Sequence, residues 1–367
     1  MNILILNWRD IKHPRAGGAE VRLHEVYTPL VNQGHNIILY CCSFNNAPKY
    51  ECINGIEVYR LGNDYTFSFL CMVNLNKWVK KHQADIVIED LNKIPFYSPL
   101  FYNGPLIIQM HHLWKKSIFK EAFFLVACLI WLTEKTIPWI YKNCNFSVVS
   151  PSTKDELSSL GISEKKIKII YNGANLDLYK PKELVKEHII LWIGRIQKYK
   201  GPIEACKILQ LLNQDLPNLK LVIVGDGPYK NKVKEFAKKN NLSVFFTGFL
   251  DKKEKIKLLQ KASIHLQSSY KEGWGLSVIE ANACGCPVVA NNTSGLRDSC
   301  QDKKTGLLYK YNDLEDAASK IKFILNDSKL NNQLVNNGLE WASSFSWLKN
   351  SDQMFQFINQ SMDKHIK

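Results

Sequence analysis

The chain has 367 residues, 46% of them hydrophobic and 22% charged, with no repeated or low-complexity segment. This length and composition suit two domains of about 170 to 190 residues, each with its own core, and exclude a disordered or solenoid protein. The formal net charge of +14 lies mostly in the second half, which favours polyphosphate ligands or anionic lipid; nucleic acid is the least favoured, and we expect no nucleic-acid partner.

Cysteine usage and the N-terminus bear on the location of the chain. The ten cysteines have no histidine partners at zinc-finger spacing, which argues against a structural metal and against a disulfide framework. Residues 1–7 enter a strand without a basic lead or a long apolar core, so we expect no signal peptide. Both observations favour the cytoplasm.

Apolar runs in the first half are typical of buried parallel strands. They span residues 3–6, 37–40, 85–88, 106–110, 146–149 and 167–171. Amphipathic stretches alternate with them, which predicts a Rossmann-like α/β domain whose ligands bind beyond the carboxyl ends of the strands. Thr153 and Glu156 form a capping-box pattern, which predicts a helix that ends at Gly161.

The loop after the first strand ends in Gly17 and Gly18, which open a helix running to about Gln33. Free backbone N–H groups at a helix start suit an anion, although two glycines before a helix are also ordinary turn chemistry. The loop lacks the Gly-x-Gly-x-x-Gly pattern of dinucleotide-binding proteins, and we expect no cofactor.

Polar residues follow two further strands. Asn92 and Lys93 lie beyond the strand at residues 85–88, where polar side chains either contact an acceptor or cap the loop. His111 and His112 follow residues 106–110, and neighbouring side chains of a continuing strand point in opposite directions. Sequence alone does not decide which histidine faces a ligand.

An unbroken apolar run covers residues 123–132 and is flanked by lysines at positions 115, 116, 120, 135 and 142. It is too short to span a bilayer, which requires about 20 apolar residues. With Trp131 and Trp139, the segment suits a helix that lies in the headgroup region of an anionic membrane. A buried core helix is equally consistent with the pattern.

A second series of strands follows a polar, proline-containing linker at residues 173–187. Its apolar runs span residues 189–193, 219–224, 244–247, 264–267 and 287–290. Arg195 and Lys200 share the loop after the first of these runs, and two cations can neutralise a departing diphosphate. The chain contains no Asp-x-Asp triplet, so we expect no metal. A basic surface loop is the alternative.

The most specific pattern lies at residues 270–289. Gly273 and Gly275 precede a helix predicted over residues 276–283, with Glu272 before it and Glu280 within it. Glycines let an anion approach the free N–H groups at the helix start. A carboxylate accepts two hydrogen bonds and suits the adjacent hydroxyls of a ribose or a sugar. The segment predicts a nucleotide-sugar site, although a helix with surface glutamates would give the same pattern.

This segment closely resembles the signature of retaining glycosyltransferases with two Rossmann-like domains, the GT-B architecture, and in particular glycosyltransferase family 4 (glycosyl transferases group 1). The shared features include both glutamates at the family's spacing, the helix end at residues 283–285 and the strand after it. The resemblance covers nearly the whole chain. It implies an acceptor-side domain (1–175), a nucleotide-sugar-binding domain (176–345), a central cleft as the site, and a C-terminal helix (346–367) that crosses back to the first domain.

The resemblance also implies a function: retaining, metal-independent transfer of a sugar from a nucleoside diphosphate sugar to a hydroxyl of a glycan or lipid-linked acceptor, in cell-surface glycan or glycolipid synthesis. His111 would contact the transferred sugar and, with Glu272, form the catalytic pair. The donor-binding residues would be Gly18, Arg195, Lys200, Gly273, Trp274, Gly275, Leu276 and Glu280. The acceptor side would carry Gly17, Glu20, Asn92 and Lys93, near a mobile loop at residues 8–17.

Two other functions fit the same fold. A nucleotide-sugar epimerase would release a changed sugar without an acceptor, and a catalytically silent binding or scaffold protein would use the basic surface alone. The cytoplasmic chain would be free or peripheral at the inner face of the membrane. The donor base, the sugar, the linkage and the oligomeric state leave no readable trace in the sequence.

Overall fold

The structure is a computed structural model that describes residues 1–92 and 94–366, with side chains of the last helix described as far as Asp363. It divides into two compact units. The first contains Met1–Asn172 and Trp347–Lys367, and the second contains Gly173–Ser346.

Both units are built on β-sheets whose strands alternate with helices. The strands are β1 Asn2–Leu6, β2 Asn36–Cys42, β3 Tyr50–Ile53, β4 Ile56–Leu61, β5 Ile86–Leu91, β6 Leu106–Met110, β7 Asn145–Val148, β8 Ile167–Ile169, β9 Glu187–Ile193, β10 Lys220–Val224, β11 Val244–Gly248, β12 Ala262–Gln267, β13 Val288–Asn291 and β14 Leu307–Tyr309. Each apolar run predicted as a strand overlaps one of these.

The α-helices connect the strands. They are α1 Gly18–Asn32, α2 Phe67–His82, α3 Phe124–Ile140, α4 Pro151–Ser158, α5 Pro202–Leu212, α6 Lys230–Lys239, α7 Lys252–Lys261, α8 Leu276–Ala283, α9 Leu296–Ser299, α10 Leu314–Asn326, α11 Ser328–Ser343 and α12 Trp347–Ile366. Short 3-10 helices lie at Ser98–Leu100, Lys115–Lys120, Glu164–Lys166 and Lys198–Lys200. Across the described residues, none of the helices is long and apolar enough to cross a membrane.

The strand order defines two Rossmann-like sheets. Over the described residues, the first unit orders its strands β3-β4-β2-β1-β5-β6-β7-β8, and the second β11-β10-β9-β12-β13-β14. Neighbouring strands are parallel except in the β3–β4 hairpin. Parallel strands carry their carboxyl ends to one edge of the sheet, where the loops that hold ligands begin.

Apolar side chains fill the layers between sheets and helices. In the first unit, Leu4 and Val87 of the sheet pack with Phe67 and Leu75 of α2. A second cluster joins Ile108 and Phe146 to Ile137 of α3. In the second unit, residues of β9, β10 and β12 pack against α5 and α10. Burial of these faces is the main favourable term in the stability of each unit.

The last helix returns to the first unit, as the resemblance implies. The Ser351 hydroxyl of α12 donates to the Val26 carbonyl oxygen of α1 at 2.6 Å, and the rings of His35 and Phe355 lie 4.7 Å apart. The Asn145 amide of β7 donates to the Ser361 hydroxyl at 3.1 Å. Helix α12 is therefore part of the first unit although it follows the second in sequence.

The start of α4 differs from the predicted capping box. The N-cap is Ser150 rather than Thr153, because the Ser150 hydroxyl accepts a hydrogen bond from the Thr153 N–H at 3.2 Å. Pro151 then occupies the first helical position, where a missing N–H costs nothing. The helix ends at Ser158, before Gly161.

Candidate active site

The turn before α8 has a backbone that only glycine adopts readily. Gly275 is the N-cap of α8 with φ +83° and ψ +63°, in the left-handed region. A Cβ at Gly275 would lie 2.8 Å from Cδ2 of Leu296. A Cβ at Gly295, with φ +79°, would lie 2.5 Å from the Glu272 carbonyl oxygen. The segment that carries Glu272 is therefore closely packed against the start of α9.

Helix α8 is fixed to the sheet by a buried histidine. The His265 Nδ1–H donates to the Leu191 carbonyl oxygen at 3.0 Å, and its Nε2 accepts from the Ser277 hydroxyl at 3.1 Å. Burial lowers the pKa of His265 to about 4, so the ring is neutral at pH 7. These bonds hold the first turn of α8, and with it the free N–H groups that could bind a phosphate.

Glu272 has one carboxylate oxygen occupied and one available. Its Oε1 accepts from the Gln267 amide at 3.1 Å and from the Ser269 hydroxyl at 2.9 Å. Lys200 Nζ also contacts Oε1. Within the described residues, Oε2 has no hydrogen bond. Three donors on one oxygen fix the direction of the carboxylate and leave the other oxygen for a ligand hydroxyl.

Lys200 carries its charge in a largely buried position. Burial lowers the pKa of Lys200, but the charge of Glu272, the neighbouring Tyr199 and the hydrogen bond to Glu272 together outweigh burial and raise that pKa above its usual value. The side chains of Lys200 and Glu272 are 16% and 12% exposed. Lys200 is therefore a cation at neutral pH.

The loop that carries the two predicted cations is docked on the end of β12. The Ser268 hydroxyl donates to the Gly201 carbonyl oxygen at 2.6 Å and accepts from Trp192 Nε1 at 3.0 Å. Arg195 Nη2 donates to the Tyr199 hydroxyl at 3.2 Å. The loop thereby holds Arg195 and Lys200 at the carboxyl edge of the sheet in the second unit, with Lys200 beside Glu272.

Glu280, like Glu272, has a lysine on one of its carboxylate oxygens. Lys255 Nζ of α7 donates to Glu280 Oε1 at 2.7 Å and lies 5.1 Å from the centre of the Tyr179 ring. Oε2 of Glu280 makes no hydrogen bond in the part of the chain that the structure describes. In sequence, the lysine-rich stretch of α7 has the pattern of a solvated helix face. In the structure, Lys255 donates instead to the Glu280 carboxylate.

Trp274 is a buried side chain, whereas Leu276 begins helix α8. The Trp274 indole is buried and meets the Phe345 ring edge-on, with centroids 5.0 Å apart. The indole is therefore a packing group, and the main chain is the part of Trp274 suited to a donor phosphate. Leu276 is the first residue of α8, and Gly273 lies two positions before the N-cap Gly275.

In the first unit, the two adjacent histidines have different partners. His111 Nε2 lies 3.0 Å from Asp90 Oδ2, and the His111 carbonyl oxygen accepts from the Thr153 hydroxyl at 3.0 Å. The His112 ring meets the Trp114 ring edge-on at 5.1 Å. The structure therefore gives His111 a carboxylate partner and places His112 against an aromatic side chain.

Loop capping accounts for Glu89, which precedes Asp90 in β5. Its carboxylate accepts from the backbone N–H groups of Phe96 at 2.9 Å and Ser98 at 3.1 Å, and from the Tyr141 hydroxyl at 2.7 Å. Burial raises the pKa of Glu89.

The predicted acceptor-side residues Asn92 and Lys93 follow β5 in sequence. The Asn92 carbonyl oxygen accepts from Trp8 Nε1 at 3.1 Å. Lys93, predicted on the acceptor side, lies outside the described residues.

Gly17, Gly18 and Glu20 form the start of α1. Gly17 is its N-cap and Gly18 its first residue, and the Gly17 N–H donates to Glu20 Oε2 at 2.6 Å. Glu20 is buried. The structure therefore gives Glu20 a capping role at the start of α1.

The loop predicted to be mobile is anchored at its start. Asp10 accepts two hydrogen bonds from the Arg60 guanidinium of β4, at 2.7 and 3.1 Å, and both side chains are fully buried. Arg60 also bonds Glu51 of β3 at 2.9 Å. The β3–β4 hairpin thus fixes the first part of the loop through a bidentate ion pair.

The structure brings together part of the predicted site. In the second unit, Lys200, Glu272 and the start of α8 are neighbours, and Gln267, Ser269 and Lys255 join them without having been predicted. The sequence could have indicated Gln267 and Ser269, since polar residues at the end of β12 lie where ligands bind. It could not have indicated Lys255, because the partner of Lys255 is distant in sequence.

Comparisons with known proteins agree with this architecture. The model for Glycosyltransferase Family 4 matches residues 16–178, and the model for Glycosyl transferases group 1 matches residues 177–341. A glycosyltransferase of Methanocaldococcus jannaschii whose own name calls it uncharacterized is 33% identical over 328 residues, covering 87% of this chain and 83% of the relative.

Two further proteins are similar over nearly the whole chain. A Campylobacter jejuni enzyme named as an α-1,4-N-acetyl-D-galactosaminyltransferase acting on GalNAc-α-(1→4)-GalNAc-α-(1→3)-diNAcBac-PP-undecaprenol is 29% identical over 363 residues, covering 91% of this chain and 94% of the relative. The structure of Anabaena Alr3699/HepE in complex with UDP-glucose superposes with a TM-score of 0.79 at 17% identity, covering 98% of this chain and all of that one.

Two Rossmann-like sheets, a returning C-terminal helix and these matches define a glycosyltransferase with the GT-B fold. The chain belongs to glycosyltransferase family 4, the family of the glycosyl transferases group 1.

Proposed function

We propose that this glycosyltransferase moves a sugar from a nucleoside diphosphate sugar to a hydroxyl of a glycan or lipid-linked acceptor, with retention of anomeric configuration and without a metal. The observation that carries the proposal is the geometry of Glu272. Its Oε1 is held by three donors and its Oε2 is available, beside Lys200 and the start of α8. The similar Anabaena structure, which contains UDP-glucose, supports a donor of this class.

Each donor group would meet a residue of matching chemistry. Arg195 and Lys200 would bind the diphosphate, together with the N–H groups at the start of α8. Oε2 of Glu280 would accept from the ribose hydroxyls, and Oε2 of Glu272 from the sugar. Both carboxylates are already oriented by a lysine, so little ordering entropy is lost when the donor binds.

The reaction would follow front-face attack. The bond between the anomeric carbon and the leaving phosphate oxygen breaks, and the diphosphate takes the electron pair. The acceptor hydroxyl bonds to the anomeric carbon on the same face, and its proton passes to the leaving phosphate oxygen. Lys200 and Arg195 would stabilise the charge that develops on the diphosphate, which is the role a metal fills elsewhere. His111 would contact the transferred sugar.

An apolar surface on α3 supports a lipid-linked acceptor. The inner stripe of the helix consists of Ala127, Ile130, Glu134 and Ile137, which are buried. The outer face exposes between 51% and 79% of the large apolar residues Phe123, Phe124, Leu125, Leu129, Leu132 and Trp139. The helix is therefore packed on one side and apolar on the other. Scattered apolar residues are common on protein surfaces, but a contiguous patch marks an interaction site.

Lysines make an anionic membrane the best match for this surface. Lys135 Nζ lies 3.6 Å from the centre of the Trp131 ring, and the 3-10 helix Lys115–Lys120 precedes α3. Apolar side chains flanked by lysines suit the headgroup boundary of a bilayer that contains anionic lipid. The undecaprenol acceptor in the name of the Campylobacter relative supports a role in cell-surface glycan or glycolipid synthesis at the inner face of the membrane.

Vesicle flotation tests the membrane contact. The chain should float with vesicles of phosphatidylglycerol and phosphatidylcholine, and less at high salt because salt screens the lysines. Phe124→Ser with Leu125→Ser should weaken binding by about 100-fold or more, since each buried apolar side chain contributes about 1.5 kcal/mol or more. Val185→Ser is the control, because Val185 is 90% exposed and lies in the other unit. Equal binding by both variants would contradict the proposal.

Donor binding tests the central site. Thermal shift in EDTA against UDP, GDP, ADP, TDP and CDP and their sugar conjugates should show stabilisation by one diphosphate and its sugar. The shift should be reduced in Glu280→Gln. No shift with any of these compounds would favour a silent scaffold, and release of an altered free nucleotide sugar would identify an epimerase.

A further inference from the structure

A row of buried polar side chains crosses three strands of the first unit. Asp90 of β5 pairs with Gln109 of β6, and Gln109 pairs with Ser147 of β7. Paired residues of adjacent strands point to the same face of a sheet. All three are at most 4% exposed, so a face that should be apolar carries three polar groups in line.

Most polar atoms of this row lack a protein partner. Over the described residues, Asp90 Oδ1, both amide atoms of Gln109 and the Ser147 hydroxyl make no hydrogen bond. Each such buried group costs about 1–3 kcal/mol if nothing solvates it. Packing alone therefore does not explain the row, and internal water is the ordinary solvent for such groups.

Helix α1 brings a buried cation to the same carboxylate. Arg22 is fully buried, and its Nε and Nη2 make no hydrogen bond to the described part of the chain. Burial lowers the pKa of Arg22, whereas the charges of Tyr27 and Asp90 act in the opposite direction. Arginine stays protonated in proteins, so its charge requires a counter-ion, and Asp90 is within electrostatic reach.

Asp90 in turn determines which ring nitrogen of His111 carries hydrogen. A carboxylate only accepts, so the His111 nitrogen 3.0 Å away, Nε2, must donate. In the neutral ring, Nδ1 then has the lone pair, and it makes no hydrogen bond within the residues that the structure describes. The second hydrogen bond of an imidazole fixes its tautomer.

We propose that Asp90 is the positioning residue of His111: it holds the ring as the Nε2–H tautomer, so that Nδ1 accepts a hydrogen bond from a hydroxyl of the transferred sugar, with Arg22 as the buried counter-charge of Asp90. The proposal rests on the proposed function, in which His111 contacts that sugar. Asp90 itself touches neither substrate.

Asp90→Asn gives the sharpest test because it preserves the size of the side chain and replaces one acceptor oxygen by an NH2 donor. An asparagine amide that donates to Nε2 favours the Nδ1–H tautomer. Nitrogen-15 NMR of the histidine rings, with His111→Gln for assignment, should show Nε2–H at His111 in the wild type and Nδ1–H in Asp90→Asn. Turnover should fall by at least about 10-fold, the equivalent of one hydrogen bond, with little change in KM for the donor.

Ser147→Ala is the matched control, since it removes one atom from the same row without touching His111. Its tautomer and turnover should match the wild type. An Nδ1–H tautomer in the wild type would overturn the proposal even if Asp90→Asn fails to fold, and so would unchanged turnover in a folded Asp90→Asn. If the tautomer reverses as expected but the wild type transfers no sugar, the proposed function fails while the Asp90–His111 geometry stands.

Discussion

Lys200 and Glu272 should behave as a coupled pair in the stability of the second unit. Lys200→Met leaves the Glu272 carboxylate with two neutral donors, Gln267 and Ser269. Breaking a fully buried ion pair costs about 3–5 kcal/mol. These two side chains retain 16% and 12% exposure, and the remaining donors partly solvate the carboxylate, so we expect a loss of about 2 kcal/mol.

The double variant Lys200→Met/Glu272→Gln separates pairing from general damage. Glu272→Gln alone should also cost about 2 kcal/mol, because it leaves the buried ammonium without a counter-ion. Removal of both charges should cost less than the sum of the two single losses by about 1–2 kcal/mol. Calorimetry should show the transition of the second unit about 4–8 °C lower in each single variant.

Diphosphate binding should respond differently from stability. Titration calorimetry should show about 10- to 100-fold weaker binding in Lys200→Met, the loss of one charge-assisted hydrogen bond. The double variant should not recover that affinity, although it recovers stability. Additive stability losses, or single losses below about 0.5 kcal/mol, would refute the pairing. Recovery of diphosphate affinity in the double variant would refute the role of Lys200 in binding.

Three further variants test other parts of the account. Gly295→Ala should destabilise the chain by about 3 kcal/mol or more in urea unfolding, since its Cβ would meet a backbone oxygen at 2.5 Å. The control Gly34→Ala, where φ is +85° and the Cβ would meet open space, should cost only about 1 kcal/mol. Equal losses of stability in the two variants would contradict the close packing at Gly295. Arg60 is among the groups that hold the pKa of Asp10 below its usual value, although burial raises it. The stability from Asp10 is therefore present above about pH 4 and is lost as pH falls through the lower folded pKa. The difference in unfolding free energy between wild type and Asp10→Asn should shrink in acid, and a difference that grows would contradict this ion pair. Glu280→Gln should weaken nucleoside diphosphate binding by about 10-fold in titration calorimetry, and unchanged affinity would remove Glu280 from the ribose site.

Sequence periodicity predicted the parallel strands and the start of α8 because these depend on local patterns. Apolar runs identify buried strands directly, and Gly275 marks the left-handed N-cap of α8. The β3–β4 hairpin was missed although Asn54 and Gly55 form its turn, with φ of +52° and +79°, a pair that is a strong hairpin signal. Its strands are short and polar on one side, and β14 has only three residues.

The partners of the site residues were not predictable from sequence. Lys255 lies in a stretch that reads as solvated surface, yet it bonds Glu280, 25 positions away. The same holds for Asp90 and His111, 21 positions apart. Such pairs arise when the fold brings separate strands and helices to one edge of a sheet, and no local pattern records them. Residue type predicted candidate carboxylates at the site, and the fold determined which side chains orient them.

The most direct test of the proposed function is an assay of sugar transfer. Purified protein would be incubated in EDTA with the nucleotide sugar that stabilises it and with a detergent-solubilised lipid extract as acceptor, and Lys200→Met would serve as the inactive control. We predict release of the nucleoside diphosphate together with a glycoside whose anomeric proton coupling matches the configuration of the donor. An inverted product, or no diphosphate release without added divalent metal, would contradict a retaining, metal-independent glycosyltransferase.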